Sequence, residues 1–229
     1  MKIQLDQSLP EDIEKRSFEI IESELKTYIP EDIKPIVKRV IHTTADFSYA
    51  ENMRFSPEAL EAAVKAVKGG VNIFTDTNMA LAGINKKALS VFGIEAKCFM
   101  SDEDVARAAR ENKTTRAAAS VDKAAIEGKD FIYVVGNAPT ALIRLYELIT
   151  EEKIKPRLIV GAPVGFVNVV ESKELIMSLN VPYIVCAGRK GGSNVAAAIV
   201  NAILYMAGGR KQNFWYFWEI SLNFTKKHG

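Results

Sequence analysis

Between residues 71 and 206, short β-rich segments alternate with helical patterns. The β-rich segments are residues 71–75, 96–100, 131–135, 158–160 and 183–186. Strands that alternate with helices at this spacing form a mostly parallel sheet covered by helices on both faces. The sequence therefore predicts a doubly wound α/β fold with a sheet of about five strands.

The segment before this pattern is predicted to be helical. Ile13, Phe18, Ile21 and Leu25 have the spacing of an amphipathic helix over residues 11–28, and a second helical segment follows over 31–42. Ser56 and the proline after it predict a third helix that runs to about residue 68. A length of 229 residues fits one domain. We expect a helical segment at 1–56, an α/β core at 57–208 and an aromatic tail at 209–229.

Glycine, proline and small polar residues follow the predicted strands. The sequences are DTNM at 76–79, GNAPT at 136–140, GAPVGF at 161–166 and AGRKGGS at 187–193. Open parallel sheets bind ligands at the edge where their strands end. Each segment could equally be only a tight turn. Because three of them carry glycine at equivalent strand ends, the pattern favours a shared binding site.

Composition excludes several classes of protein. Lysine and arginine number 30 against 28 acidic residues, whereas nucleic-acid binding favours a clear basic excess. The two cysteines, Cys98 and Cys186, lie in apolar runs and are expected to be buried free thiols. No apolar run approaches the roughly 20 residues of a membrane helix, and the first residues lack a signal peptide. We therefore expect a cytoplasmic protein with no membrane partner.

His42 is one of two histidines and the only obvious candidate for proton transfer near neutral pH. It could equally be a structural histidine near a helix end. The sequence has no G-x-S-x-G elbow, no G-x-x-x-x-G-K-[ST] loop and no histidine or cysteine cluster with metal spacing. The GRKGGS turn could bind a phosphate or a carboxylate. Four arginines fall in the segments with candidate residues and could bind carboxylates, or could be solvated surface charges: Arg16, Arg39, Arg116 and Arg189.

Six segments occur in order between about residues 13 and 206. They are IEKRSFEII, IHTTADFSYAENMRFSP, NKTTRAAAS, GNAPTALIRLYELI, GAPVGFVNVVESKE and GRKGGSNVAAAIVNAI. Together they resemble the precorrin-8 methylmutases, also called precorrin isomerases. The combination of GNAPTAL, G-x-PVGFV and GR-x-GGS is highly specific for this family.

The resemblance implies an isomerase of cobalamin biosynthesis. Such an enzyme moves a methyl group from carbon 11 to carbon 12 of precorrin-8, or of its cobalt complex, and forms hydrogenobyrinate or cobyrinate. It needs no cofactor, no metal ligand and no added methyl donor, and His42 would be the acid near the ring C nitrogen. Protonation or hydrogen bonding at a ring nitrogen would withdraw electron density and favour the [1,5] shift.

The resemblance also implies a corrinoid polycarboxylate as substrate and a homodimer with sites near the subunit interface. The residues expected to bind the substrate are Arg16, Ser17, Arg39, Thr43, Arg116, Asn137, Thr140, Arg189, Gly191, Gly192 and Ser193. Two alternatives stay open at the level of the sequence. One is a corrinoid-binding module without turnover, and the other is a nucleotide- or phosphate-binding α/β protein that uses GRKGGS. The sequence also leaves open whether the substrate carries cobalt.

Overall fold

The structure is a computed structural model that describes residues 10–128 and 130–209, with side chains from residue 13 onward. Apart from Gly209, the predicted aromatic tail lies outside the described residues. One sheet contains six strands, which are β1 (Met53–Phe55), β2 (Ile73–Thr75), β3 (Ala96–Lys97), β4 (Ile132–Val135), β5 (Leu158–Gly161) and β6 (Tyr183–Cys186).

Eleven helices lie within the described residues. Three precede β1 or adjoin it, and the others connect the strands or follow the last one. They are α1 (Pro10–Glu24), α2 (Lys34–Thr44), α3 (Tyr49–Asn52), α4 (Ala59–Lys68), α5 (Asn78–Gly83), α6 (Lys86–Val91), α7 (Glu103–Glu111), α8 (Arg116–Glu127), α9 (Pro139–Thr150), α10 (Val169–Met177) and α11 (Ser193–Ala207). None of these helices combines the length and the apolar character that a membrane crossing requires.

The strands follow the order β1-β6-β5-β4-β2-β3, and all neighbours are parallel except β1 and β6. Alternate side chains of each central strand enter different cores, as a sheet covered on both faces requires. On β4, Ile132 and Val134 pack with α2, α4, α6 and α11. Tyr133 and Val135 pack with α7, α8, α9 and α10 on the opposite face. The predicted doubly wound α/β class is therefore confirmed.

The sheet has one strand more than the five predicted. Met53–Phe55 falls in the segment expected to be helical, yet it forms an antiparallel edge strand on β6. Three residues are too few to show a strand period, so local pattern alone does not reveal this strand. Its partner residues match Met53 to Cys186 and Phe55 to Ile184. The pairing joins the N-terminal segment to the last strand of the core.

The predicted start of the third helix was wrong. Ser56 does not cap α4, because that helix begins at Ala59 after Glu58 in a left-handed conformation. The Ser56 hydroxyl oxygen instead accepts the N–H of Tyr183 at 3.0 Å. The segment between β3 and β4 forms two helices, α7 and α8, with Lys113 between them at a φ of 51°.

Candidate active site

His42 lies in the last turn of α2, outside the face that this helix buries. His42 itself is exposed. The apolar stripe of the helix is buried and consists of Ile36, Val37, Val40 and Ile41. The helix ends because Ala45 adopts a left-handed conformation and donates its N–H to the Ile41 carbonyl. The sequence thus places the imidazole at the end of a rigid, well-packed element.

One nitrogen of the imidazole is held by α1. The Ser17 hydroxyl and His42 Nδ1 lie 2.7 Å apart, so Ser17 donates when Nδ1 carries no proton and accepts when Nδ1 is protonated. The Phe18 ring stacks on the imidazole at a centroid distance of 5.3 Å and an angle of 18°. Within the described residues, Nδ1 makes the only hydrogen bond of this ring. Nε2 is therefore available to a ligand.

The surroundings of His42 lower its pKa below the usual 6.5. The largest cause is partial burial, which penalises the imidazolium form, and the positive charge of Arg39 adds to it. The carboxylate of Glu14 opposes both effects. Although the ring is exposed overall, Phe18 covers one of its faces, which accounts for the loss of hydration. His42 is therefore mainly neutral at pH 7 in the absence of an anionic ligand.

Arg39 is held beside His42 by several contacts. Its guanidinium pairs with Glu14 at 2.5 Å and lies over the rings of Phe18 and Tyr205, at 4.9 and 5.3 Å from their centroids. The Thr43 hydroxyl donates to the Arg39 carbonyl at 2.8 Å, although the side chain of Thr43 is exposed. The arrangement links α1, α2 and α11 and fixes a positive charge near the imidazole.

A cavity of about 540 Å³ opens between α1 and the end of α2. Its walls carry His42, Ser17 and Arg16 together with apolar side chains, and the remaining lining residues are Ile13, Ile20, Ile21, Glu24, Ile41, Ala45 and Phe47. Apolar walls with a few convergent polar groups are typical of small-molecule sites. Three of the sequence-predicted site residues therefore share one cavity.

The carboxyl edge of the sheet is organised around Asp76, which directly follows β2. Its fully buried carboxylate accepts the backbone N–H groups of Gly136, Asn137 and Ala138 at 2.8, 2.8 and 2.7 Å. Burial raises the pKa of Asp76, and the three hydrogen bonds oppose that increase. This carboxylate fixes the GNAPT turn at the start of α9. The exposed side chain of Asn137 remains at the surface.

Ser193 joins the ends of β2, β4 and β6. Its hydroxyl lies 2.8 Å from that of Thr77, which also caps α5 by accepting the N–H of Ala80. Gly136 approaches so closely that a Cβ there would lie 2.7 Å from the Cα of Ser193. The N–H of Gly192 donates to the Ala162 carbonyl at 2.8 Å. Ser193 and Gly192 are therefore parts of a tightly packed edge.

Two other predicted residues lie near the same edge. Arg116 begins α8 and is exposed. Thr140, in the first turn of α9, has its hydroxyl 2.8 Å from that of Thr115, which caps α8. This contact aligns the starts of α8 and α9. It brings Arg116 and the GNAPT turn to one region of the surface.

Lys190 connects the AGRKGGS turn to the segment that follows His42. Its ammonium donates to Asp46 Oδ2 at 2.6 Å and to Ser48 Oγ at 2.9 Å, and this contact lowers the pKa of Asp46. Arg189, the preceding residue, is exposed, with its guanidinium 5.5 Å from the centroid of the Phe166 ring. The structure thus places the end of α2 beside the last turn of the carboxyl edge.

Sequence reasoning missed several residues that shape this region. Asp76 and Thr77 lie in the DTNM segment, which the sequence pattern identifies only as a turn after a strand. An aspartate directly after a buried strand is nevertheless a signal in itself. Lys190 is visible in GRKGGS, but its partner Asp46 lies far away in the sequence. Lys173 on α10, whose ammonium donates to the carbonyls of Gly188 and Lys190 in the AGRKGGS turn, gives no signal because it lies in an ordinary helical pattern.

Two other cavities of similar volume lie away from His42. One, of about 590 Å³, is lined by residues that precede strands, including Val71, Asp130, Arg157 and Pro182. It is therefore at the amino edge of the sheet. The second, of about 620 Å³, lies around the start of α4. Neither contains a predicted site residue. The described residues also contain no group of three or more histidine, cysteine or acidic side chains that could hold a metal ion.

The fold and the site define a doubly wound α/β protein with glycine-containing turns and exposed arginines at the carboxyl edge of its sheet. His42, whose Nε2 is available, lies with Arg16 in the cavity beside α1, and the Lys190–Asp46 contact connects the segment after His42 to this edge. In sheets of this class the carboxyl edge is the usual ligand site.

Comparison with known proteins identifies the family. The profile of precorrin-8X methylmutases matches residues 12–206. The chain is 47% identical over 203 residues to the cobalt-precorrin-8 methylmutase of Salmonella typhimurium, covering 86% of this chain and 95% of that protein. It is 45% identical over 199 residues to the enzyme of that name from Priestia megaterium, covering 86% of this chain and 88% of that protein.

A solved structure agrees with the sequence relatives. The precorrin-8x methyl mutase of Thermus thermophilus superposes with a TM-score of 0.79 at 40% identity, covering 86% of this chain and 98% of that one. The chain belongs to the precorrin-8X methylmutase family, and it is an isomerase of cobalamin biosynthesis. The resemblance inferred from six sequence segments is confirmed.

Proposed function

We propose that this isomerase moves the methyl group from carbon 11 to carbon 12 of a precorrin-8 macrocycle, with His42 as the acid at the ring C nitrogen. The observation that supports this role is the arrangement of the imidazole. Ser17 holds Nδ1 at 2.7 Å, and Nε2 makes no hydrogen bond within the described residues. A proton on Nε2 would be held in a defined direction beside a cavity of about 540 Å³.

The chemistry needs little more than positioning and charge. The methyl group leaves carbon 11 as a new bond to carbon 12 forms, so no atom enters or leaves the molecule. A hydrogen bond or proton from His42 draws electron density toward the ring nitrogen and lowers the barrier. Because its pKa is lowered, His42 is mostly neutral in the free enzyme at pH 7. Substrate carboxylates near the ring raise that pKa and promote protonation in the complex.

The acetate and propionate groups of the substrate provide the binding energy and the orientation. Arg16 lies in the same cavity as His42, while Arg116 and Arg189 are exposed at the carboxyl edge. Arg39 is already paired with Glu14, so its contribution is a fixed positive charge. The polar groups that complete the proposed binding surface are Ser17, Thr43, Asn137, Thr140, Gly191, Gly192 and Ser193.

We further propose that the natural substrate carries cobalt as part of the macrocycle. The relatives named cobalt-precorrin-8 methylmutase from Salmonella typhimurium and Priestia megaterium are 47% and 45% identical to this chain. The precorrin-8X methylmutase of Pseudomonas aeruginosa is 38% identical. Tighter binding of cobyrinate than of hydrogenobyrinate in parallel titrations supports this proposal, whereas the reverse order contradicts it.

A homodimer in the cytoplasm is also part of the proposal. Val164, Phe166 and Val167 are exposed in the turn after β5, with 82% of Phe166 accessible. Apolar side chains grouped in this way favour a protein contact. Cys98 and Cys186 are free thiols, as is usual in a reducing compartment. Sedimentation equilibrium of the full chain tests the dimer, because a monomer at micromolar concentration contradicts it.

The central experiment compares the wild-type protein with His42→Ala. Absorbance titration with hydrogenobyrinate, the metal-free product, measures binding, and conversion of precorrin-8 measures turnover. We expect similar binding by both proteins and a fall in kcat of about 100-fold or more in the variant, as for loss of a general acid. Equal turnover by both proteins would remove His42 from the mechanism. Binding by the wild-type protein without turnover would favour the corrinoid-binding module.

A second titration addresses the phosphate-binding alternative. Inorganic phosphate and ATP are added separately to the wild-type protein, and the thermal unfolding temperature is recorded. A ligand that binds only the folded state raises this temperature. We expect no increase with either ligand and a clear increase with hydrogenobyrinate.

A further inference from the structure

Lys173 is a fully buried lysine beneath the AGRKGGS turn. It lies on α10, and its ammonium donates to the carbonyls of Gly188 at 2.7 Å and Lys190 at 3.0 Å. The intervening carbonyl, that of Arg189, accepts the N–H of Gly165 at 3.2 Å. Three successive carbonyls of this turn are therefore bound from the protein side.

The bound carbonyls determine where the amide groups point. The described residues contain no cis peptide bond. In a trans peptide the C=O and the following N–H point in opposite directions. The N–H groups of Arg189 and Gly191 therefore point away from Lys173. Within the described residues, neither N–H donates a hydrogen bond.

The turn has little freedom to adopt another shape. A Cβ on Gly191 would lie 2.2 Å from the Ala162 carbonyl oxygen, so the backbone rests directly on the turn after β5. The Gly192 N–H donates to the same oxygen at 2.8 Å. The side chain of Lys190 is held by Asp46 and Ser48. The two outward amides are thus held in fixed positions.

The charge of Lys173 is not compensated by the protein. Among the described residues, no carboxylate lies within ion-pair distance of its ammonium, and burial lowers its pKa to about 8. A buried charge without a counter-ion is unfavourable. An anionic group bound on the outer side of the turn would supply the opposite charge.

We propose that Lys173 is a positioning residue that orients the N–H groups of Arg189 and Gly191 to receive one carboxylate of the substrate. This inference rests on the proposed function, because it assigns a receptor for one substrate arm. The Arg189 guanidinium adds a charged donor beside the two amides. Carboxylates bind well to paired N–H groups of a concave turn.

The test compares Lys173→Met with Lys123→Met. Methionine has a similar length to lysine but cannot donate to the two carbonyls. Lys123 is a matched control because its ammonium bonds Asp102 and Asp104, at 2.7 and 2.8 Å, and contacts no part of the AGRKGGS turn. For each protein, Kd for hydrogenobyrinate, KM, kcat and the unfolding temperature are measured.

We expect Lys173→Met to raise KM and Kd by about tenfold or more, the effect of a lost charge-assisted hydrogen bond. The value of kcat changes much less, because His42 is not in contact with Lys173. Lys123→Met keeps the wild-type Kd and KM. If the Lys173→Met protein is folded and keeps the Kd and KM of the wild-type protein, the inference is overturned. Absence of binding and turnover in the wild-type protein contradicts the proposed function instead.

Amide hydrogen exchange on the wild-type protein gives an independent test that does not depend on folding of a variant. We expect exchange of the Arg189 and Gly191 amides to slow when hydrogenobyrinate saturates the protein. Slower exchange at both positions supports their role as carboxylate donors. Unchanged exchange at both, with binding verified by absorbance, overturns it.

Discussion

At the scale of single residues, the protonation of His42 is set by its neighbours. Partial burial is the largest cause that lowers the pKa of the imidazole, the charge of Arg39 lowers it further, and Glu14 raises it. Because the folded-state pKa lies below 6.5, the folded chain binds fewer protons than the unfolded chain as pH falls through that value. Acidification in this range therefore reduces the contribution of His42 to stability.

Removing either charged neighbour should shift the pKa of His42 in a predictable direction. Arg39→Met removes a positive charge, so we expect a higher pKa, and Glu14→Gln removes a negative charge, so we expect a lower one. Proton NMR of the imidazole Cε1–H across pH 5 to 8 (roughly the range in which histidine titrates) measures the pKa of His42 in the wild-type protein and in both variants. His228 is the only other histidine and provides a reference signal in each spectrum. Equal pKa values in all three proteins would contradict this electrostatic account.

Asp76 acts at the same scale, as the centre of a backbone hydrogen-bond network. One carboxylate oxygen accepts from Gly136, and the other accepts from Asn137 and Ala138. In Asp76→Asn, the amide NH₂ must face at least one of these donors. We expect the free energy of unfolding to fall by about 1–3 kcal/mol, which urea denaturation measures. Asp32→Asn, an exposed substitution, serves as the control and should change stability little.

At the scale of elements, the site depends on the close approach of the β4 turn to α11. Gly136→Ala would bring a Cβ within 2.7 Å of the Ser193 Cα, so the turn and the helix must separate. We expect a loss of about 1–3 kcal/mol in unfolding free energy, together with weaker binding of hydrogenobyrinate. Thermal unfolding and absorbance titration measure the two effects.

Gly128→Ala is the matched control for this substitution. A Cβ at Gly128 would meet no atom within 4 Å, so both stability and binding should remain close to wild type. If Gly136→Ala behaves like Gly128→Ala, the contact between the β4 turn and α11 does not constrain the site.

The elements also show what the sequence could predict. The central strands are identified by continuous runs of β-branched and aromatic residues such as Ile132–Val135, because both faces of the sheet are buried. His42 could be selected because histidine is rare in the chain. The contact of Ser17 with His42 joins residues 25 positions apart, and that of Lys190 with Asp46 joins residues 144 apart. Such contacts depend on tertiary packing, which local patterns do not encode.

At the scale of the whole molecule, the net charge is only +2, so attraction of a polycarboxylate depends on the local placement of cations. We predict that Kd for hydrogenobyrinate rises with salt. Between about 0.01 and about 1 M salt the Debye length falls from about 30 Å to about 3 Å. Absorbance titrations across this range measure the change. A constant Kd would show that ion pairs contribute little to binding.

The pairing of β1 with β6 has a consequence for the order in which the protein is made. During synthesis, His42 leaves the ribosome long before Tyr183–Cys186, the strand that supports its segment. The helix against which α2 packs, Ser193–Ala207, emerges later still. His42 is therefore synthesised well before the strand and the helix that hold its segment in place. A nascent chain that ends before Ser193–Ala207 lacks the contacts that hold α2, because contacts so distant in sequence form only when both partners are present.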